Sequence, residues 1–333
     1  MLQNNTFGID VKASVFAEYE SVEGLKMVLT NEIVKRSMCN IWNIGKGSNI
    51  LFSGDFDGVI LHGKIKGIEI VGEDSESVKV RLGAGETWDD IVEWAVRNNF
   101  YGAENLSSIP GEVGAAAVQN IGAYGAEFGN LVDYVEVLNT ETLETETISR
   151  KDCRYGYRES IFKHQPEKQR YVVTYVVIDL SKKESFNLEY GNVKSALAGN
   201  NVTLANVRDA IVNIRANKLP DWKKQGNAGS FFKNPVITLD KYESLKVSYP
   251  DIPSYKVDSA DVPMVKVPAG WLIEQSGLKG FKHGGAKVYE KQCLVLINDG
   301  GAKPNDIVEL SEIVIRTVKE KFGIEISPEV NIL

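Results

Sequence analysis

The chain has 333 residues, 43% hydrophobic and 25% charged, with 30 Gly and 10 Pro. These are ordinary values for a globular protein of about two domains, and they exclude a disordered, collagen-like or disulfide-stapled chain. Lys and Arg number 38 against 45 Asp and Glu, a formal charge of −7, so the average surface repels phosphate backbones and anionic lipid, and neither a nucleic-acid nor a membrane partner is expected.

From the N-terminus, MLQNNTFGID has no basic start and no apolar centre of a secretory leader, which predicts a cytoplasmic protein. A helix is expected over 21–38, where Leu25, Val28, Leu29, Ile33 and Val34 recur at helical spacing. Strands are expected over 41–44, 50–52, 59–61, 68–71 and 78–82, and Thr87 with Asp90 reads as the capping-box start of a helix ending near Asn98. A Gly- and Ala-rich stretch covers 109–125. The uncharged apolar run Val113 to Ala126, which carries Gln119 and Asn120, is too short to span a bilayer. Strands follow over 132–138 and 171–180, then an amphipathic helix over 204–218 stopped by Leu219-Pro220. A Gly- and Asn-rich segment opens the last third. A helix over 305–322, closed by Gly323, and a final strand over 324–333 end it. Cys39, Cys153 and Cys293, like His62, His164 and His283, are scattered without metal-ligand spacing, so no metal is expected and a reducing compartment is.

Three segments carry candidate chemistry. In Gly45-Lys46-Gly47-Ser48-Asn49, between two strands, the glycines let consecutive N–H groups turn inward as an anion nest, with Ser48 and Asn49 adding donors. A tight strand connection uses the same residues. A Rossmann fingerprint is excluded, because Ile50 stands where the third glycine belongs and a strand follows instead of a helix. The second segment runs from Pro110-Gly111 through Glu112, Gly114, Gln119, Asn120, Gly122 and Ala123 to Tyr124-Gly125. Its small residues suit a helix start whose backbone approaches a diphosphate, or a glycine-rich turn packed on a neighbour. The third, Gly226 to Pro235, holds Ser230 on a loop anchored by Phe231 and Phe232. No GxSxG elbow or placed histidine makes it a hydrolase serine. Arg158 can bind a carboxylate or pair with Glu159, and Glu329 follows Pro328 at the entry to the last strand.

Taken together, these motifs resemble the UDP-N-acetylenolpyruvoylglucosamine reductases, flavoenzymes of bacterial peptidoglycan synthesis. The likeness runs from Asn5-Thr6-Phe7-Gly8 through GKGSN, IPGEVGAAAVQNIGAYG, CRYGYRES, NLEYG and RANKLP to GNAGSFFKNP, AGWLIEQSGLKG, QCLVLIN and PEV. It implies an α+β chain. A two-subdomain FAD-binding module (PCMH-like) occupies 1–66 and 67–205, and an α+β substrate-binding domain occupies 206–323; the last strand, about 324–333, is a candidate to return to the first subdomain. It implies noncovalent FAD held by Gly45, Lys46, Gly47, Ser48, Asn49, Pro110, Gly111, Gly114, Gln119, Asn120, Gly122, Ala123, Tyr124 and Gly125, with NADPH as reductant. Tyr190-Gly191 resembles the type that closes a tyrosine-bearing loop over the substrate. Tyr190, Lys218, Asn234 and Gln292 would line the substrate's nucleotide diphosphate and its surroundings. Ser230 matches the proton donor to the enolpyruvyl C2, and Arg158 and Glu329 match the pair that holds its carboxylate. A small-molecule substrate and a monomer are expected. Glu112 departs from the family's usual small neutral residue and is expected to point outward. The competing expectations are an FAD-dependent hydroxyl oxidase of the same fold and a nucleotide-sugar binding module without catalysis.

Overall fold

The computed structural model describes residues 1–36, 40–190, 192–199, 201–257 and 262–333. The end of the helix expected over 21–38, together with Cys39 and Gly191, lies outside them. The chain forms two compact units. One consists of Ala13–Lys46 and Phe56–Asn217, the other of Met1–Lys12, Gly47–Asp55 and Lys218–Leu333.

In the first unit a three-stranded parallel sheet has the order Ala13–Tyr19, Phe56–Gly63, Ile41–Ile44. Parallel strands need a crossover, and between the two outer strands of this sheet the segment expected as one helix supplies it in pieces, Val22–Thr30 and Glu32–Arg36. The break falls at Asn31, whose backbone is extended and whose side-chain oxygen accepts from the Ile33 N–H at 2.9 Å. That local bond is the alternative to helix that Asn offers its own backbone. An antiparallel five-stranded sheet follows, ordered Thr145–Ser149, Val132–Asn139, Tyr171–Ser181, Ser77–Gly83, Ile68–Glu73. One face buries Val78, Val80, Leu82, Val135, Val137, Val176, Ile178 and Leu180 against the helices Trp88–Arg97 and Val113–Gln119. From the other, Leu138 and Val172 join Leu25, Leu29, Val59 and Leu61 in a second core. Thr87 sits at the N-cap of its helix but makes no side-chain cap bond. Its hydroxyl instead accepts from Lys46 Nζ at 2.8 Å.

The second unit contains an antiparallel sheet ordered Asn227–Ser230, Val295–Asn298, Ala286–Val288, Lys282–His283. The helix Pro304–Phe322 buries Ile307, Leu310, Val314, Val318 and Phe322. Its start is fixed by Asp306, whose Oδ2 accepts from the N–H groups of Lys303 and Gly285, and its end by Gly323 at φ 61°. Because left-handed backbone disfavours a Cβ, Gly323→Ala is expected to destabilise this unit by about 1 kcal/mol, read as a lower urea midpoint with unchanged slope. The final strand is shorter than expected. Ile324 and Ile326 are buried alternately as strand residues would be, but only Asn331–Ile332 forms a ladder, parallel to Ile50–Leu51. A third sheet orders Val236–Thr238, Met264–Lys266, Tyr255–Val257.

Candidate functional site

In the first unit, Gly45 and Lys46 leave the strand Ile41–Ile44 beside the segment that begins at Pro110. Gly111 (φ 134°) accepts from the Trp88 N–H at 3.1 Å, and Thr87 and Glu112 form an isolated bridge. Gly114 fits because its N–H donates to Ala84 O at 2.8 Å, and a Cβ there would lie 2.9 Å from that of Ala84. So Gly114 is small for packing, whatever it faces. Asn120, left-handed at φ 44°, closes the helix. Its amide donates to Glu127 Oε2 and Gly156 O and accepts from the Gly129 N–H, which commits this side chain to the protein. Gly122–Ala123 then pairs with Ala126–Glu127 across Tyr124 (φ 48°) and Gly125 (φ 78°), the positive pair that a tight two-residue hairpin demands.

Arg158 belongs to this segment too. Its guanidinium donates to Gly122 O at 2.6 Å and Asn120 O at 3.3 Å, and a Cβ on Gly122 would stand 2.7 Å from Nη1. Glu159, the acid beside it in sequence, turns instead to His164 Nε2 at 2.7 Å. Among the described residues, Gln119 Oε1 and Asn105 Oδ1 are buried acceptors without a hydrogen-bond partner, while Asn105 Nδ2 donates to Tyr124 O and Asn187 O. Buried acceptors normally find donors, so two orphans beside the Pro110–Gly125 segment suit a ligand bearing N–H groups, as FAD does on its ring systems. Sequence reasoning missed Asn105 and also Arg215, whose Nε donates to Ser108 O at 3.2 Å near the Tyr124 phenol. The RANKLP motif was the available signal.

Glu112 does not point outward. It is buried, with Oε1 3.4 Å from His62 Nε2 and Oε2 2.8 Å from where a Cβ on Gly45 would be. His62 Nδ1 meets Glu18 Oε1 at 3.1 Å, and Lys64 reaches the same oxygen at 2.6 Å. A partner fifty residues away on a strand left no local signal. The hydrogen bond to Glu112 raises the His62 pKa above its ordinary 6.5, against the opposing effect of burial. Folding therefore favours the imidazolium: its stabilisation is fully present below the unfolded pKa and is lost as pH rises through the folded one. The urea midpoint is expected to fall on the alkaline side of pH 6.5, and His62→Gln should flatten that limb.

In the second unit, Gly47 adopts φ 65°, and a Cβ there would come within 2.1 Å of Asn4 O. The Thr6 N–H donates to Gly47 O and the Thr6 hydroxyl to Asn227 O at 2.6 Å. Asn49 donates to Glu329 O at 3.4 Å, and its own carbonyl accepts from Asn331. Ser230 ends the strand Asn227–Ser230, half-buried, with the wholly buried Phe231 and Phe232 next in chain. The Glu329 N–H donates to Phe231 O at 2.7 Å. Glu329 is thus tied by a backbone bond to Phe231, the neighbour of Ser230, and by a side-chain amide to Asn49, residues far apart in sequence. Asn234 Oδ1 accepts from the Ala269 N–H at 2.9 Å, and Gln292 Oε1 lies 2.8 Å from the Cβ position of Gly270. These two amides therefore flank the first turn of the helix Ala269–Gln275. Ser48 and Tyr190 each have a contact partner, and Lys218 is exposed at the end of Leu204–Lys218.

The class these features define is a flavin-binding protein: the family model described as an FAD binding domain matches residues 15–146. The model of the C-terminal domain of UDP-N-acetylenolpyruvoylglucosamine reductase matches 221–333. A reductase of that name from Bacteroides fragilis is 48% identical, covering 100% of this chain and 98% of the relative. One from Porphyromonas gingivalis is 44% identical, covering 98% and 96%. The crystal structure of the Thermus caldophilus reductase superposes with a TM-score of 0.67 over 99% of this chain and 95% of that one, at 22% identity, a likeness of fold. The chain belongs to the UDP-N-acetylenolpyruvoylglucosamine reductase family. No helix among the described residues is long and apolar enough to cross a membrane.

Proposed function

We propose that this chain is the NADPH-dependent flavoenzyme that reduces UDP-N-acetylenolpyruvoylglucosamine to UDP-N-acetylmuramate in peptidoglycan synthesis. When bound, FAD would supply the redox chemistry, hydride exchange between NADPH and the enolpyruvyl C3. The chain's own part is to place that carbon, hold the carboxylate and provide one proton to C2. Ser230 Oγ is the proton donor; a weak acid suffices because the enolate-like carbanion it protonates is far more basic than water, and the donor is already positioned. Arg158 and Glu329 hold and polarise the carboxylate as charge develops on it. Tyr190, Lys218, Asn234 and Gln292 bind the nucleotide diphosphate and its surroundings, with Tyr190 on a loop of the closing type.

The observation that carries this reading is the bond from the Glu329 N–H to Phe231 O, which seats the carboxylate-bearing residue beside the candidate acid. Gly45, Lys46, Gly47, Ser48, Asn49 and the segment Pro110 to Gly125 serve FAD. Lys46, Gln119 and backbone N–H groups are the donors and acceptors this assigns, whereas the Asn120 amide supports the segment from within. The division of labour follows 1–66 and 67–205 for FAD and 206–323 for substrate. We take the protein to act as a cytoplasmic monomer.

The test is the visible spectrum of the purified protein, followed anaerobically on adding NADPH and then the enolpyruvyl substrate. Bleaching by NADPH with recovery only on substrate is the expected result. A protein that cannot be reconstituted with FAD overturns the reading, and a yellow protein reoxidised only by O₂ replaces it with the oxidase.

A further inference from the structure

Glu112 poses an electrostatic problem. It places a buried carboxylate under Gly45, at the meeting of the two segments assigned to a dinucleotide diphosphate, where a negative charge works against binding. His62 resolves it. Both ring nitrogens face carboxylate oxygens, Nδ1 toward Glu18 and Nε2 toward Glu112, and a neutral imidazole has only one N–H to offer two acceptors. The arrangement is satisfied by the doubly protonated ring. The other groups around it are Lys64, paired to Glu18, the Phe16 ring at 6.4 Å, and Tyr19, whose hydroxyl donates to Asn43 Oδ1 at 3.2 Å. None of these places a second cation on Glu112.

We infer that His62 is a positioning residue for FAD: acting through Glu112, its positive charge neutralises the floor beneath Gly45 and keeps the cradle receptive to the diphosphate. The inference rests on the FAD reading above. In this arrangement Glu112 sets the spacing between the two segments, since its Oε2 occupies the space a Gly45 side chain would take, and His62 removes the electrostatic cost of having it there. A purely steric role for the pair would make both residues matter equally for FAD. A neutralising role makes the loss of the cation harmful only while the anion remains.

The experiment measures FAD affinity of the full-length apoprotein at pH 7.5 by quenching of flavin fluorescence, for the parent and for Lys46→Glu, His62→Gln, Glu112→Gln and the double variant His62→Gln/Glu112→Gln. Lys46→Glu tests the cradle itself: unchanged affinity there overturns the FAD reading and the inference with it. With Lys46→Glu weakened, His62→Gln is expected to bind FAD at least tenfold more weakly, Glu112→Gln about threefold more tightly, and the double variant within about threefold of the parent. A His62→Gln protein that binds as the parent does, or a double variant as weak as His62→Gln, overturns the inference while leaving the cradle standing. Should His62→Gln fail to fold, Glu112→Gln decides alone, and weaker binding by it counts against the neutralising role.

Discussion

Ser230→Ala is expected to bleach with NADPH at the parent's rate and then to stall, its reoxidation by the enolpyruvyl substrate slowing by about 10²–10⁴-fold, the usual contribution of a positioned general acid. The selectivity of the loss follows from where the residue stands. Ser230 is the last residue of a strand paired to Val295. Phe231 and Phe232 behind it are wholly buried, with their rings 5.1 Å apart and Phe231 edge-on to Phe7 at 6.3 Å. Removing one half-buried hydroxyl leaves that anchor untouched, so fold and flavin binding should survive. Stopped-flow absorbance resolves the two half-reactions. Equal slowing of both would show that Ser230 acts on the flavin site as a whole and not as the donor to C2, and equal speed of both would remove it from the reaction.

The largest expected effect on stability belongs to Trp88→Ala, about 3–5 kcal/mol. Trp88 is 0% exposed, packs edge-on to Phe128 at 4.9 Å, and donates from Nε1 to Leu106 O at 3.0 Å. The substitution opens a cavity in the core beneath the five-stranded sheet and strands a buried carbonyl, two costs that add. Because whole domains are stable by only about 5–15 kcal/mol, about a fifth or more of the margin disappears. The Trp88 backbone N–H also donates to Gly111 O, a bond an alanine keeps, so the start of the Pro110–Gly125 segment stays tied to this helix and the loss falls on the core. Chemical denaturation gives the size of the loss, and Trp88→Phe, which fills most of the volume but lacks the indole donor, separates packing from the hydrogen bond. A loss below about 1 kcal/mol for Trp88→Ala would mean that the surrounding side chains collapse into the space.

What the amino-acid order discloses depends on how local the cause is. The helices over Leu204–Lys218 and Pro304–Phe322 were legible because their punctuation lies inside or beside them: Pro220 after one, Gly323 after the other. The strand Ala13–Tyr19 was missed because its burial alternates weakly, and Thr145–Ser149 because Ile148 is its one buried side chain at the sheet edge. Thr87 and Asp90 resemble a capping box, but the hydroxyl is drawn off by Lys46, a residue 41 positions earlier. The FAD-binding class and the family were readable, since they rest on long motifs in order. Glu112 was misjudged for the opposite reason. Its burial is decided by His62 and Gly45, and neither choice is visible from within the segment Pro110 to Gly125. For the glycines the surprise is one of cause: Gly47, Gly114 and Gly122 are small because Asn4, Ala84 and Arg158 stand against them.

The parallel pairing of Asn331–Ile332 with Ile50–Leu51 has a consequence for how the protein is made. Ser53 bonds Leu333 O through both its N–H and its hydroxyl, a contact 280 positions apart in the chain. On the ribosome, at about 5–20 residues per second, the strand Ile50–Leu51 emerges roughly 15–55 seconds before its mate. Throughout that interval Leu51 and Phe52, buried in the finished protein, have no ladder to join. This short edge therefore waits unpaired until the segment around Asn331 has been synthesised, an interval in which a nascent-chain chaperone has buried-type side chains to shield.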